Sequence, residues 1–158
     1  MKVLGIKTSI WYKSIHVFFA CAWFGSVLSV ILIYLLSNQT TSIETLRNNS
    51  DLMENIDKFI IIPSSLACYL FGLLISWRTN WGFFKYKWVA VKLILGTGLI
   101  LFGIIFLGPW IMESSSISEL GKLHDLQNKL GVSMIGQAIV IGVTILISTI
   151  KPWGKIKS

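Results

Sequence analysis

The chain has 158 residues, of which 54% are apolar and only 13% charged, and its mean hydropathy is +0.72. A soluble domain carries roughly 25% charged residues, so this composition excludes the soluble globular class and indicates an integral membrane protein. The net charge of +7 requires no nucleic-acid partner, because the basic excess serves as a topology signal and suits contact with anionic lipid.

Four apolar stretches follow one another along the chain, at residues 14–36, 59–77, 88–107 and 131–150. A helix of about 20 residues crosses the hydrocarbon core of a bilayer. We therefore predict one all-α domain over residues 1–158, an up-down bundle of four transmembrane helices. The first apolar run is longer than the roughly 7–15 residues of a signal peptide, so we expect this helix to be retained.

Polar segments separate the four stretches. The segment 38–58 is predicted to form a short surface helix through "SIETLRNNSDLMENI", and the short turn "RTNWGFFKYK" makes the second and third spans antiparallel neighbours. Gly108 and Pro109 are predicted to end the third span, because proline does not continue a helix. The segment "ESSSISELGKLHDLQNK" is expected to become helical before the fourth span begins.

Charged residues are segregated between the connecting segments. Ten of the fourteen basic residues flank the start of the first span, the turn between the second and third, and the end of the fourth: Lys2, Lys7, Lys13, Arg78, Lys85, Lys87, Lys92, Lys151, Lys155 and Lys157. All seven acids fall in the other two loops: Glu44, Asp51, Glu54, Asp57, Glu113, Glu119 and Asp125. The positive-inside rule then places both termini of a cell-membrane protein in the cytoplasm.

Small residues and tryptophans mark helix contacts and membrane boundaries. Close helix packing is predicted at Gly25 with Ser29, at Ala138 with Gly142, and along Gly96, Gly98 and Gly103. Aromatic belts are predicted at the span ends, from Trp11, Tyr12, Trp77, Trp81, Trp88, Trp110 and Trp153. Cys21 and Cys68 are expected to be buried free thiols, with a bridge between the first two helices as the alternative.

Two ionisable residues lie inside the apolar stretches at a similar depth. His16 follows Lys13 by three residues, and Lys92 stands five residues into the third span. In one interpretation Lys92 extends to the headgroups and His16 makes a polar contact within the bundle. In the other, His16 ligates a metal or haem, and Lys92 is a second ligand or binds a carboxylate. Trp23, two helical turns from His16, would then form a wall of the pocket.

The second histidine, His124, precedes the fourth span by about seven residues, on the side opposite His16. It is either a surface histidine or, with Asn128 on the same helical face, a ligand for an outer-leaflet molecule or a second haem. Gln137, inside the fourth span, either makes an interhelical hydrogen bond or contributes a polar group to a pocket.

The motif "KSIHVFFACAWFGSVLS" resembles the first helix of HemJ-type protoporphyrinogen oxidases and of related bacterial four-span proteins. Pro63, Gly72, "WVAVKLIL" and the final "KPW" are similar in order and spacing to the pattern of that family. The chain departs from the pattern in "GTGLILFGIIFLGPW", which has no histidine, and in "HDLQNKLG", which replaces a polar signature before the last helix. It therefore resembles a divergent relative.

The resemblance implies a haem b site with His16 as axial ligand and Lys92 as an essential neighbour. In this hypothesis Phe19 and Trp23 line the macrocycle. The haem propionates would be held at the cytoplasmic rim by four cations: Lys92, Arg78, Lys85 and Lys87.

Two classes of function follow from these patterns. The first is a haem-bearing membrane oxidoreductase that passes electrons between a hydrophobic reductant and an acceptor. Its candidate partners are a quinone, a porphyrin substrate and a second copy of the chain. The second is a small permease or interaction subunit without a cofactor, in which His16 and Lys92 are partnered within the bundle.

Overall fold

The computed structural model describes residues 5–79 and 82–154, and within these ranges it contains no β-strand. In these two ranges, six α-helices and two π-helical turns follow in order: α1 (Ile6–Ser37), α2 (Ile43–Ile56), a turn at Asp57–Ile61, α3 (Ile62–Arg78), α4 (Lys87–Phe102), a turn at Gly103–Leu107, α5 (Gly108–Ser116) and α6 (Leu120–Ile150). The predictions for Lys2, Trp81, Lys155 and Lys157 lie outside the described residues.

Among the described residues, four continuous helices are long and apolar enough to cross a membrane: Lys7–Ser37, Ile43–Arg78, Lys87–Ser114 and Leu120–Ile150. This confirms an all-helical protein with four candidate membrane spans. Large apolar side chains cover the outer surface, where Phe18 is 68% and Phe59 76% exposed. Apolar side chains this exposed are stable when lipid tails surround them, so these faces are suited to bilayer contact.

The helices extend further than the predicted spans. The predicted surface helix is confirmed as α2, whose N-cap Ser42 accepts a hydrogen bond from the Thr45 backbone N–H. However, α2 runs without a break through the first π-helical turn into α3. The segment before the fourth span is also helical, as predicted, because α6 begins at Leu120. The second and fourth spans therefore extend beyond their apolar stretches.

The prediction that Gly108 and Pro109 end the third span is wrong, and a π-helical turn explains why. The Gly108 backbone N–H donates to the Gly103 carbonyl, one residue further back than in an α-helix. The wider turn accommodates a proline ring that would otherwise clash with the preceding turn. The same device precedes Pro63, where the Ile62 N–H donates to the Asp57 carbonyl. Both prolines therefore sit inside continuous helices.

The bundle is held by α1, which packs against α3 and α6, while α4 packs against α6 and α3. One set of apolar residues fills the space between these helices: Trp23, Val27, Val30, Met53, Ile61, Leu107, Ile111, Leu130, Met134 and Ile141. We call the end that carries the start of α1, the turn before α4 and the end of α6 the basic end. The end that carries α2, α5 and the start of α6 is the acidic end.

At the acidic end, polar side chains of α6 contact α2 and α5. The buried Gln127 amide on α6 donates to the Leu46 carbonyl at 3.0 Å and to the Ser50 hydroxyl at 2.9 Å, both on α2. The Lys129 ammonium lies 4.0 Å from the centroid of the Trp110 ring on α5, within cation–π range. These contacts explain why α2, α5 and the first turns of α6 pack against one another.

Among the described glycines, the tightest packing is at one that the small-residue pattern did not single out. A Cβ atom at Gly131 on α6 would overlap the ring of Tyr34 on α1. In contrast, a Cβ at Gly25, Gly98 or Gly142 would meet no atom within 4 Å. Close packing at those three positions was therefore wrongly predicted, as it was at Gly103, whereas Gly96 does face the Tyr69 ring at 3.6 Å.

Candidate functional site

The His16 imidazole lies between α1 and α3 and is anchored by the backbone of α3. Its Nδ1 atom is 2.8 Å from the carbonyl oxygen of Cys68. Because a carbonyl oxygen only accepts hydrogen bonds, the neutral imidazole carries its proton on Nδ1 and donates it to Cys68. The Nε2 atom then keeps a free lone pair, and no hydrogen bond reaches it from the part of the chain that the structure describes.

Gly72 makes the space that this ring occupies. A Cβ atom at position 72 would lie 3.2 Å from Cε1 and 3.5 Å from Nδ1 of His16. The first of these distances is tighter than an ordinary van der Waals contact, so a larger residue would push the ring away. One face of α3 thus orients the imidazole by a hydrogen bond and by close packing. Gly72 also belongs to the pattern that resembles the HemJ-type family.

The thiol of Cys68 is a weaker neighbour of the same ring. Its Sγ atom lies 3.6 Å from Nδ1 of His16, whereas the carbonyl oxygen is much closer. Cys68 is buried and free, as predicted, but Cys21 is exposed and free, so the prediction of burial is wrong for Cys21. The structure contains no bridge between these two cysteines.

Lys92 enters the bundle from α4 and is tied to α6. Its Nζ donates to the Ser148 hydroxyl at 2.6 Å. The same ammonium lies 5.9 Å from the centroid of the Trp88 ring, which is buried at the start of α4. It is close enough to interact electrostatically with the His16 imidazole and the Cys68 thiol. The fixed charge of Lys92 therefore acts on the histidine without touching it.

These contacts form a polar layer, defined as His16, Cys68, Lys92 and Ser148, with one residue from each of α1, α3, α4 and α6. The sequence predicted its two ionisable members but missed their partners. A hydroxyl two residues before the end of α6 was the available signal for Ser148. No sequence signal could indicate the Cys68 carbonyl, because every residue has a backbone carbonyl. One hydrogen bond of the layer joins α1 to α3 and the other joins α4 to α6, both near the basic end.

The two predicted aromatic wall residues lie in the apolar packing of the bundle. Trp23 is buried in the core, and its Nε1 donor has no hydrogen-bond partner among the described residues. Phe19 stacks nearly parallel to Phe71 on α3, with ring centroids 6.3 Å apart. Gln137 is also buried, and its Oε1 has no partner within residues 5–79 and 82–154. The interhelical hydrogen bond, one of the two predicted roles of Gln137, is therefore not made by its Oε1 atom.

The three other predicted cations remain at the surface. Arg78, Lys85 and Lys87 are all exposed. The Arg78 guanidinium lies 5.6 Å from the centroid of the neighbouring Trp77 ring, outside the polar layer. Lys92 is therefore the cation that the fold brings close to His16. A role of the other three toward a cofactor stays a prediction.

His124 lies at the acidic end, where it connects α6 to the segment that follows α1. Its Nε2 is 3.3 Å from the Thr40 carbonyl oxygen, to which it donates. Asn128, one turn later, accepts a hydrogen bond from the Tyr34 hydroxyl at 3.3 Å. Both side chains thus have structural partners, and ligation of a second haem by His124 stays a prediction.

Two shallow grooves open on the surface of α1. One, of about 280 Å³, lies between α1 and the first π-helical turn and is lined by Cys21, Ala22, Gly25, Ser26, Ser29, Ile56 and Ile60. The other, of about 420 Å³, lies beside Lys13, Ser14, Val17 and Phe18. Neither groove is lined by His16 or Lys92, so a ligand of the polar layer does not enter through them.

Chemically, the polar layer offers one oriented imidazole nitrogen and one ammonium group. Over the described ranges, no three His, Cys, Asp or Glu side chains are placed to hold a metal ion together. A haem iron needs fewer ligands from the protein, because the porphyrin supplies four nitrogens, and a single imidazole fits that need. Comparison with known protein families, with curated proteins and with solved structures finds no match to this chain.

Proposed function

We propose that this chain is a haem-binding membrane redox protein in which Nε2 of His16 is the axial ligand of a haem b iron. The observation that supports the proposal is the hydrogen bond from Nδ1 to the Cys68 carbonyl. In metal-ligating histidines the second ring nitrogen almost always donates to a carbonyl or carboxylate, which fixes the tautomer and the ring orientation. His16 has this arrangement inside a candidate membrane span, where an imidazole is otherwise costly.

Cys68, Gly72 and Lys92 each have a defined part beside His16 in this proposal. The Cys68 carbonyl holds the proton of His16 on Nδ1 and raises the basicity of Nε2, and Gly72 leaves room for the ring. Haem supplies a centre that accepts and donates single electrons. The Lys92 ammonium interacts electrostatically with His16, so its positive charge would favour the reduced form of a haem held there.

The electron partners proposed are hydrophobic molecules, a quinone or a porphyrin, because they reach the protein through the lipid phase. Resemblance to HemJ-type protoporphyrinogen oxidases supports the porphyrin, through "KSIHVFFACAWFGSVLS" and "WVAVKLIL". Contact between Gly72 and His16 adds to this support, since both belong to the similar pattern. A second copy of the chain remains a proposed partner.

The competing candidate, a permease or interaction subunit without a cofactor, is favoured by one observation. His16 and Lys92 both have partners inside the bundle, namely the Cys68 carbonyl and the Ser148 hydroxyl. A purely structural pair requires no more than this. The two candidates differ at Nε2 of His16. The redox candidate expects a ligand bound to this nitrogen, and the candidate without a cofactor expects none.

Absorption spectroscopy distinguishes the two candidates. The protein is produced with haem precursor in the growth medium, purified in mild detergent, and examined before and after dithionite reduction. The redox proposal expects a Soret band that shifts on reduction, at about one haem per chain. If the purified chain is colourless and does not bind added haem while remaining folded, the candidate without a cofactor is correct.

The proposed topology is an up-down bundle with both termini in the cytoplasm. Complete separation of acids from the basic end supports it, together with the contacts that join the two ends of α1 to different partners. A phosphatase reporter fused after Ser158 should be inactive and one inserted near Asn49 active, with green fluorescent protein fusions giving the reverse. An external C terminus would contradict the orientation.

A further inference from the structure

Lys92 carries a positive charge that no carboxylate of the described residues compensates. The sequence contains no Asp or Glu between Lys58 and Met112 or after Asp125. The hydrogen bond of Lys92 goes instead to the neutral hydroxyl of Ser148. A partly buried ammonium at membrane depth is costly unless an anion accompanies it. The chain itself does not provide that anion within its described part.

A second ammonium group approaches the same indole ring. The Nζ of Lys151 lies 5.8 Å from the centroid of Trp88, and that of Lys92 lies 5.9 Å from it. The two lysines are close enough to interact electrostatically, and like charges repel. Trp88 is only 6% exposed, so packing fixes the ring that each of the two ammonium groups approaches. An anion bound beside Lys92 would offset both this repulsion and the cost of burying the Lys92 ammonium.

The fold places Lys151 here by an unusual backbone conformation. Lys151 ends α6 with φ 50° and ψ 57°, the left-handed region in which glycine is favoured. Its backbone N–H donates to the Ile147 carbonyl, which completes the helix cap. The Lys87 backbone N–H donates to the Gly154 carbonyl at 3.5 Å, so the segment after α6 lies against the start of α4. The Lys151 side chain is thus held beside Trp88 by a residue whose backbone conformation favours glycine.

We propose that Lys92, Lys151 and Ser148, gathered around Trp88, form a phosphate-binding site, and that its occupant is the headgroup of an anionic phospholipid. Ammonium and hydroxyl groups are ordinary donors to phosphate oxygens. A lipid is favoured over a free phosphate ion because the site lies at the end of an apolar helix bundle, where the acyl chains would cover exposed residues such as Ile94 and Ile150. This site does not depend on haem binding.

Native mass spectrometry of the haem-free protein tests the site. Wild-type protein released from nanodiscs of mixed phosphatidylglycerol and phosphatidylcholine should retain phosphatidylglycerol selectively. Excess inorganic phosphate should not displace it, which separates a lipid site from a site for the free ion. Lys92→Gln and Lys151→Gly should each reduce phosphatidylglycerol retention about fivefold, the effect of one lysine near an anionic surface.

The choice of variants separates binding from folding. Lys151→Gly puts the residue favoured by the left-handed conformation at position 151, so it should preserve the thermal stability of the bundle while removing the ammonium. Lys129→Gln is the matched control, because it removes a lysine that also lies over a tryptophan but at the acidic end. The proposal is wrong if the Lys92 and Lys151 variants retain phosphatidylglycerol like wild type, if phosphate displaces the lipid, or if Lys129→Gln has an equal effect.

Discussion

Replacing His16 with alanine is expected to abolish haem retention while the bundle still folds. Loss of the imidazole removes the only protein nitrogen that the structure orients at the polar layer with a free lone pair among the described residues. Mutation of a second-shell partner typically lowers metal affinity by about 10–100-fold, so loss of the ligand itself should exceed that range. Folding should survive, because the single hydrogen bond lost with the ring contributes about 1 kcal/mol.

The measurement is Soret absorbance per folded protein, compared for variants prepared side by side. His124→Ala is the matched control, since it removes the other histidine and lies at the opposite end of the bundle. It should retain full haem content. Lys92→Ala should lower haem content without eliminating it, because one proposed propionate partner is lost while Arg78, Lys85 and Lys87 remain. Loss of haem in His124→Ala with retention in His16→Ala would move the site to the acidic end.

A methyl group at Gly131 is expected to destabilise the bundle strongly. The added Cβ of Gly131→Ala would overlap the Tyr34 ring, whose hydroxyl donates to Oδ1 of Asn128 at 3.3 Å, a bond that a moved ring would lose. Overpacking of this kind costs about 1–3 kcal/mol because α1 and α6 must separate or the ring must leave its rotamer. The unfolding midpoint in detergent, followed by circular dichroism, should fall accordingly.

Gly136→Ala provides the matched control on the same helix. A Cβ at position 136 would meet nothing within 4 Å, so the substitution should leave the midpoint unchanged or raise it slightly. Combining Gly131→Ala with Tyr34→Ala should recover much of the lost stability, since the overlapping ring is then absent. Equal midpoints for the Gly131 and Gly136 variants would show that α1 and α6 do not approach each other as described.

The candidate spans were predictable because hydrophobicity dominates the choice of structure in a membrane. A run such as 131–150 has one stable arrangement in hydrocarbon, a helix that satisfies its own backbone. The ends were less predictable, because hydropathy does not report where a polar helix continues beyond the lipid, as α2 and the first turns of α6 do. The prediction of a helix end at Pro109 was wrong for a different reason: the π-helical turn before it lets the helix continue through the proline.

The sequence predicted the two ionisable residues of the polar layer but not the residues that bind them. Ionisable residues in apolar stretches are rare, so His16 and Lys92 stood out in the sequence. Their partners did not, since Cys68 contributes a backbone carbonyl and Ser148 is an ordinary serine near a helix end. Small-residue spacing failed at Gly25, which lines an open groove, because spacing alone does not say which helix face meets a neighbour.

The chain has only two histidines, which permits an unambiguous test of iron ligation by His16. In a His124→Gln variant labelled with ¹⁵N-histidine and loaded with haem b, His16 is the sole source of labelled nitrogen. Pulsed electron paramagnetic resonance of the ferric protein should then show hyperfine coupling between the iron and a ¹⁵N-imidazole nitrogen. A haem-loaded sample without this coupling, or a folded sample that binds no haem, would contradict the assignment of His16 as the axial ligand.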